Sequence, residues 1–445
     1  MTKRIDLTEG KPWKIILAFS GPLLFGNLLQ QFYNIADSAI VGHFIGKEAL
    51  AAVSASFFIY YFVIALVIGI GSGTTVVVSQ LYGAKEYDKV QRTFSSLFIF
   101  LLIAGAVLSI LSILLAKPIF LLTNTPKEIL PLAILYFRIY MGGTFFFITF
   151  NSVLSILRGT GDSFHPMLFV GITTILNIVL DLFFILFLKW GVAGAAFATI
   201  IAQGIGMCIS LYYINFFHPL LSLKKKDMVF DKKLFVRGLK IGLPTSVQQC
   251  AIAIGLVALL GIVNSFGTDT LTAYGAAGRI DMLITQAILT LSSAIAAFCG
   301  QNIGAKKFDR IKKGVHFAMW LNIAFSLIML TCIYFFGSQM ISFFTADQNV
   351  MRIGKEYLLI TGVFMFFHGA MNVYNGALRG AGKTLFIMLT GIFSLWLIRI
   401  PLAYWLSAEF GATGIWAAIS LSFLIGFSIT YLYYRIEIKK ILSHK

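Results

Sequence analysis

The chain has 445 residues, of which 58% are hydrophobic, 15% aromatic and 12% charged. A soluble domain carries about 25% charged residues, so half that share, with a mean hydropathy of +0.88, excludes a soluble globular protein and indicates a chain that crosses a membrane many times. The net charge of +17 gives no reason to expect a nucleic-acid partner, because the basic residues fall in short connections between apolar runs, the pattern of membrane topology.

A membrane-spanning helix needs about 20 apolar residues. Twelve such runs follow one another, at approximately 14–40, 50–80, 92–116, 129–157, 164–188, 192–215, 238–263, 273–300, 314–337, 353–378, 385–407 and 412–434. They are numbered here as spans 1 to 12. The residues ahead of span 1 carry no small-residue cleavage site and read as no removable signal. Spans 6 and 7 are joined by the one long polar connection, which contains Lys224-Lys225-Lys226 and Lys232-Lys233. The expected organisation is an N-terminal bundle over 1–216, a basic linker over 217–240 and a C-terminal bundle over 241–445. With the N-terminus placed inside, 26 of the 35 Lys and Arg lie on the inner side and 6 on the outer. That positive-inside bias puts both termini in the cytoplasm and the protein in the inner membrane.

Polar residues interrupt the apolar runs at few places. Span 1 carries Pro22 and then Asn27, Gln30, Gln31, Tyr33, Asn34 and Asp37. Pro22 lacks an amide hydrogen and crowds the preceding turn, so it reads as a hinge or as an ordinary proline near a helix start. Span 4 contains Asn151 and ends in Leu157-Arg158-Gly159-x-Gly161, a tight turn and not a phosphate loop. The Gly-x4-Gly-Lys-Ser/Thr pattern of ATP-driven machinery is missing. Span 5 carries Asn177 and Asp181, four residues apart and therefore on one helix face. Span 6 carries Thr199. Counting 1.5 Å per residue from the outer helix ends puts Asp37, Asp181 and Thr199 at about the same depth, roughly 12–15 Å. Such a cluster can share one proton between two carboxylates or coordinate Na⁺, and either use makes a coupling-ion site. The alternative is a structural pair with Arg138, the only intramembrane Arg in this half.

In the second half, Gln248 and Gln249 on span 7 and His368 and Asn372 on span 10 join Gln30, Asn34 and Asn151 as candidate cavity residues. Amide side chains also serve interhelical packing. Arg279 and Asp281 on span 8 read as surface or interhelical groups. Arg399 on span 11 needs an acceptor, for which a backbone carbonyl freed by Pro401 is one candidate. The four cysteines are far apart, with no metal-ligand spacing, and read as small buried hydrophobes.

The halves are related. A shift of 221 residues lays Gln80-x-x-Gly83-Ala84-Lys85 on Gln301-x-x-Gly304-Ala305-Lys306, and Leu157-Arg158-Gly159-x-Gly161 on Leu378-Arg379-Gly380-x-Gly382. Pro22 meets Pro244 at a shift of 222. Six spans per half is an even number, so both repeats enter the membrane the same way. Asp37, Asn177 and Asp181 have no counterparts in the second half, where Ala258, Ile398 and Leu402 stand instead.

Twelve spans in two repeats, with the paired turns and paired Gln-x-x-Gly-Ala segments, resemble the multidrug and toxic compound extrusion (MATE) transporters. Pro22, Asp37, Asn177, Asp181 and Thr199 are similar to the DinF-like bacterial and archaeal pattern. The resemblance implies an all-α membrane protein of twelve helices in two six-helix bundles, V-shaped around a central cavity. It implies secondary active efflux of lipophilic, often cationic compounds in exchange for H⁺ or Na⁺. Asp37, Asn177, Asp181 and Thr199 would form the cation site, and Gln30 and Asn151 would face substrate. No cofactor beyond the coupling ion, no enzymatic activity and a monomer in the lipid bilayer are expected. A lipid-linked oligosaccharide flippase of the same superfamily is the alternative, disfavoured because the spans hold few cations.

Overall fold

In lipid every backbone N–H and C=O must find its partner within the protein, so apolar runs of this length become helices. The structure, a computed structural model, describes residues 5–443. The helices are α1 (Pro12–Phe44), α2 (Lys47–Gly83), α3 (Tyr87–Leu122), α4 (Leu130–Gly142), α5 (Thr144–Gly159), α6 (Phe164–Leu182), α7 (Gly191–Phe217), α8 (Lys232–Asn264), α9 (Thr268–Gly304), α10 (Phe308–Ser342), α11 (Gln348–Gly380), α12 (Thr384–Ile392), α13 (Ile400–Phe410) and α14 (Ala412–Ser443). Among the described residues there are twelve membrane-spanning segments, if α4 and α5 are counted as one bent span. No strand occurs among these residues.

Three departures from straight helices matter for the site. Span 4, expected as one helix, breaks at Gly142-Gly143, where α4 and α5 meet at 47°. A glycine pair is a usual cause of such a kink. The fifth span of each half contains a π-helical stretch, Phe183–Phe187 after α6 and Phe393–Arg399 between α12 and α13. Wide turns of this kind leave carbonyls out of register and occur often at functional sites.

The chain forms two compact units. One is built on Gly21–Leu243, the other on residues from Pro244 onward together with Asp6–Ser20. Two helices therefore contribute to both: α1 changes unit between Ser20 and Gly21, and α8 between Leu243 and Pro244. Pro22 and Pro244, repeat mates, stand at these two places. Both helices run through their proline unbroken.

In the first unit α2 packs on α5 through small residues. A Cβ on Gly159 would lie 2.7 Å from Val78 Cγ1 and 3.0 Å from the Thr75 carbonyl. Thr75 Oγ1 donates to the Ser155 carbonyl at 2.8 Å and Ser79 Oγ to the Gly159 carbonyl at 3.2 Å. The following turn closes with Asp162 N donating to the Leu157 carbonyl, and Gly161 takes a φ of 87°, the left-handed region that favours glycine. The second unit repeats the arrangement. A Cβ on Gly380 would meet the Ala296 carbonyl at 2.6 Å, Gly382 has a φ of 79°, and Lys383 N donates to the Leu378 carbonyl. The Leu-Arg-Gly-x-Gly segments are thus packed helix ends with tight turns.

Each unit also clamps an extended segment. In the first, Gln91 bonds both ways with Ser222, and Ser95 and Ser96 bond to Asp227 and Asp231 of the linker. In the second, the chain ahead of α1 lies across the turn between α9 and α10. Leu7 is fully buried there and its N–H donates to Gln301 Oε1 at 3.2 Å. Arg310 donates to the carbonyls of Leu7, Glu9 and Gly10, and Lys307 Nζ to that of Thr8.

Candidate functional site

The polar residues of the first unit converge from α1, α6 and α7. Asp37 lies one turn beyond Tyr33 on α1, Asp181 one turn beyond Asn177 on α6, and Thr199 opposite them on α7. All of Asp37, Asn177, Asp181 and Thr199 are buried, with Asp181 at 0% exposure. Thr199 is the pivot. Its hydroxyl donates to the Ala195 carbonyl at 3.2 Å and is left to accept from Asn177 Nδ2 at 3.4 Å and from Tyr33 Oη at 3.3 Å.

The carboxyls of Asp37 and Asp181 lie within hydrogen-bonding reach of each other. Two carboxylates have no proton to place between them, so the contact is satisfied only when something positive is added. Asp37 Oδ1, Asn177 Oδ1 and both Asp181 oxygens are buried and meet no donor. Buried polar atoms nearly always have partners. Four oxygens left bare on three side chains form a set of hard ligands suited to a proton or to Na⁺, which prefers oxygen. The Arg138 alternative fails, since Arg138 Nε donates to the Ile113 carbonyl and forms no ion pair among the described residues.

A cavity of about 30 Å³ adjoins this cluster, lined among others by Gln30, Tyr33, Asn151, Asn177, Thr199 and Gln203. Water needs about 10–15 Å³ and a drug-sized ligand several hundred. In this conformation the cavity admits a water molecule or two, and no drug. Gln30 and Asn151 share it with Asn177 and Thr199. Asn34 is exposed and does not line it. Asn151 Nδ2 is turned back to the Phe147 carbonyl, and its repeat mate Asn372 does the same with the His368 carbonyl. Gln248 donates to the Ile387 carbonyl, and Gln249 is half-buried. The ring of His368 stacks on Phe423 at 4.3 Å.

Two lining residues, Thr173 and Gln203, escaped the sequence reading, and Tyr33 was noted on span 1 without a role, although the spacing was there. Tyr33 precedes Asp37 by four, Thr173 precedes Asn177 by four, and Gln203 follows Thr199 by four. Extending each face by one turn finds all three. The aromatic wall beside Asp37 had no such signal. Tyr60 stacks on Tyr140 at 4.3 Å, and Tyr136 lies 5.8 Å from Tyr140.

For the second unit one expectation is corrected and one is narrowed. Arg399 donates from Nε to Ser422 Oγ at 2.8 Å, and not to a carbonyl freed by Pro401. Of the two readings offered for Asp281, surface or interhelical, the structure fits the interhelical one. Asp281 is half-buried and interacts electrostatically with Arg399, Tyr274 and Tyr357. Arg279 is exposed, over the Phe344 ring.

A family model described as MatE matches residues 22–183 and again residues 244–405, once in each repeat. Probable multidrug resistance protein YpnP of Bacillus subtilis is 31% identical over 439 residues, covering 97% of both chains. Probable multidrug resistance protein YoeA of the same organism is 29% identical, covering 97% of this chain and 96% of its own. A solved structure titled as the outward-facing conformation of a multidrug resistance MATE family transporter of the MOP superfamily superposes with a TM-score of 0.94. It is 26% identical and covers 100% of this chain and 99% of its own.

Proposed function

The chain belongs to the MatE family of membrane transporters and is not an enzyme, and we propose that it is a secondary active exporter of lipophilic, often cationic compounds, driven by the entry of H⁺ or Na⁺. The observation that carries the coupling half of this reading is the set of buried oxygens without donors on Asp37, Asn177 and Asp181. The relatives' names as multidrug resistance proteins support the substrate half. The positive-inside bias supports cytoplasmic termini and an inner-membrane location.

The steps follow from charge and packing. With Asp37 and Asp181 both ionised, their repulsion is relieved only by a cation. Such a pair attracts a proton or Na⁺ from the outer side and, in the cation's absence, attracts cationic substrate to the adjoining cavity. Once a proton bridges the carboxyls, or Na⁺ takes the bare oxygens of Asp37, Asn177 and Asp181, the pair closes up. Tyr33 and Asp37 move with α1, whose backbone is weakest at Pro22, where a helical hydrogen bond is missing. Tyr33 and Asn177 line the cavity and hold Thr199, so closing the pair reshapes the wall that holds substrate. One charge moving through 100 mV supplies about 2.3 kcal/mol, enough for about a fifty-fold shift in a two-state equilibrium. The flippase alternative would need cations along the spans to hold a pyrophosphate, and the first unit's cavity is lined by none.

The test uses purified protein in liposomes. Ethidium accumulation is followed under an imposed pH gradient alone and under an imposed Na⁺ gradient alone. One of the two gradients drives accumulation if the reading is right. Transport that needs neither, or that needs ATP, refutes it.

A further inference from the structure

The second unit lacks the carboxylate pair, yet it has a polar cluster at the matching level of its fifth span. The first unit's cluster is a set of acceptors without donors. This one is a set of donors without acceptors. Arg399 closes the π-helical stretch Phe393–Arg399. Its Nε is held by Ser422 Oγ at 2.8 Å, and Ser422 gives its own proton to the Ile419 carbonyl at 2.6 Å, so the hydroxyl can only accept and fixes the guanidinium's direction. The guanidinium lies 4.9 Å over the ring of Phe423, on which His368 stacks. Its two terminal nitrogens make no hydrogen bond among the described residues, and no carboxylate lies within ion-pair distance. Trp416 stacks on Tyr274 and meets Tyr357 edge-on. Its Nε1 is buried with no acceptor.

A guanidinium at membrane depth with its fork free is costly, and the fork matches a carboxylate in two parallel bonds. Asp281 stands within electrostatic range but beyond 4.0 Å. Its charge offsets part of that of Arg399, so a bare anion binds at the free fork and a molecule carrying both charges binds better. We infer that Arg399, fixed by Ser422 and walled by Phe423, His368 and Tyr274, forms a second substrate subsite that takes the carboxylate of an amphoteric molecule, whose cationic part faces Asp281. The inference rests on the export reading and adds to it a residue that selects for a carboxylate.

Two dyes that differ by one group test it. Rhodamine 110 carries a xanthylium cation and a free carboxylate, and rhodamine 123 is its methyl ester. Binding of each to the purified protein in nanodiscs is read by fluorescence anisotropy, in the wild type and in Arg399→Gln. Losing a charge-assisted bidentate contact weakens binding by about 10- to 100-fold. The expected result is that loss for rhodamine 110 and little change for rhodamine 123, with Arg399→Lys between. Equal losses for both dyes, or none for either, overturn the inference. A measurement on the wild type alone covers the case of a variant that fails to fold. Benzoate should compete with rhodamine 110 and not with rhodamine 123, and competition with both or neither counts against the subsite. Rhodamine 123 binding without benzoate or rhodamine 110 binding removes this subsite alone. Benzoate binding by calorimetry without binding of either dye removes the drug-export reading alone.

Discussion

Replacing Arg310 with alanine should release the segment ahead of α1. Arg310 makes three hydrogen bonds to it, to the Gly10 carbonyl at 2.6 Å, the Glu9 carbonyl at 2.9 Å and the Leu7 carbonyl at 3.3 Å, and is itself steadied by Asn302 Oδ1 of α9 at 3.0 Å. Arg310 is half-buried, so each bond is placed at the low end of the usual 0.5–1.5 kcal/mol, and the three to the segment together contribute about 1.5–2 kcal/mol. Burial of Leu7, which the substitution leaves intact, adds about 2 kcal/mol. The segment should therefore stay docked in Arg310→Ala but open far more often. At 1.4 kcal/mol per factor of ten, amide exchange in the peptide containing Leu7 should quicken by about 10- to 30-fold. Hydrogen–deuterium exchange with mass spectrometry on protein in nanodiscs reads this directly. Exchange equal to wild type in residues 5–11, with the substitution verified and the protein folded, would refute the account of the clamp.

Gly159→Ala should lower the unfolding temperature, because its Cβ would lie 2.7 Å from Val78 and 3.0 Å from the Thr75 carbonyl. Such overpacking costs about 1–3 kcal/mol. Gly21→Ala, with nothing within 4 Å, should match or exceed wild type in the same melt, since alanine favours helix by up to about 1 kcal/mol. The ammonium of Lys383 is held above the ordinary lysine range by the hydrogen bond it donates to Glu437, at 3.0 Å. A raised pKa stabilises fully below the unfolded value of about 10.4 and is lost as pH rises through the folded one. The melting difference between wild type and Lys383→Gln should be constant from about pH 6 to about pH 10 and vanish in more alkaline buffer, and a difference that persists there contradicts the pairing. Tyr33→Phe removes one long bond to Thr199, at 3.3 Å, so stability should change by less than about 1 kcal/mol while ion-driven transport slows. An unchanged rate would show that Tyr33 takes no part.

Much of this was legible in the chain. Apolar runs of span length can only be helices in lipid, and the glycine turns at Gly159 and Gly380 recur because each α2–α5-type contact demands a missing side chain. Depth counting placed Asp37, Asp181 and Thr199 together because an α-helix rises by a fixed step. The rest depended on tertiary neighbours. The π-helical stretches have no signature in local composition. Arg399 and Asp281 are 118 residues apart, and neither carries a sign of the other. Nothing in residues 6–10 themselves signals that they dock, and Leu7 is buried by the pocket made with Gln301, Asn302 and Arg310. The break at Gly142-Gly143 was signalled by the glycine pair, but the length of the apolar run concealed it.

The claim at the centre is that Asp37 and Asp181 together hold the driving ion. Asp181→Asn keeps the side chain's shape and removes its capacity to bind a proton or Na⁺ as a carboxylate. In proteoliposomes, wild type should accumulate ethidium under the effective gradient. The variant should fold with a near-normal melt, bind ethidium, and show no gradient-driven accumulation. Accumulation by Asp181→Asn at the wild-type rate, under either gradient, would contradict the account.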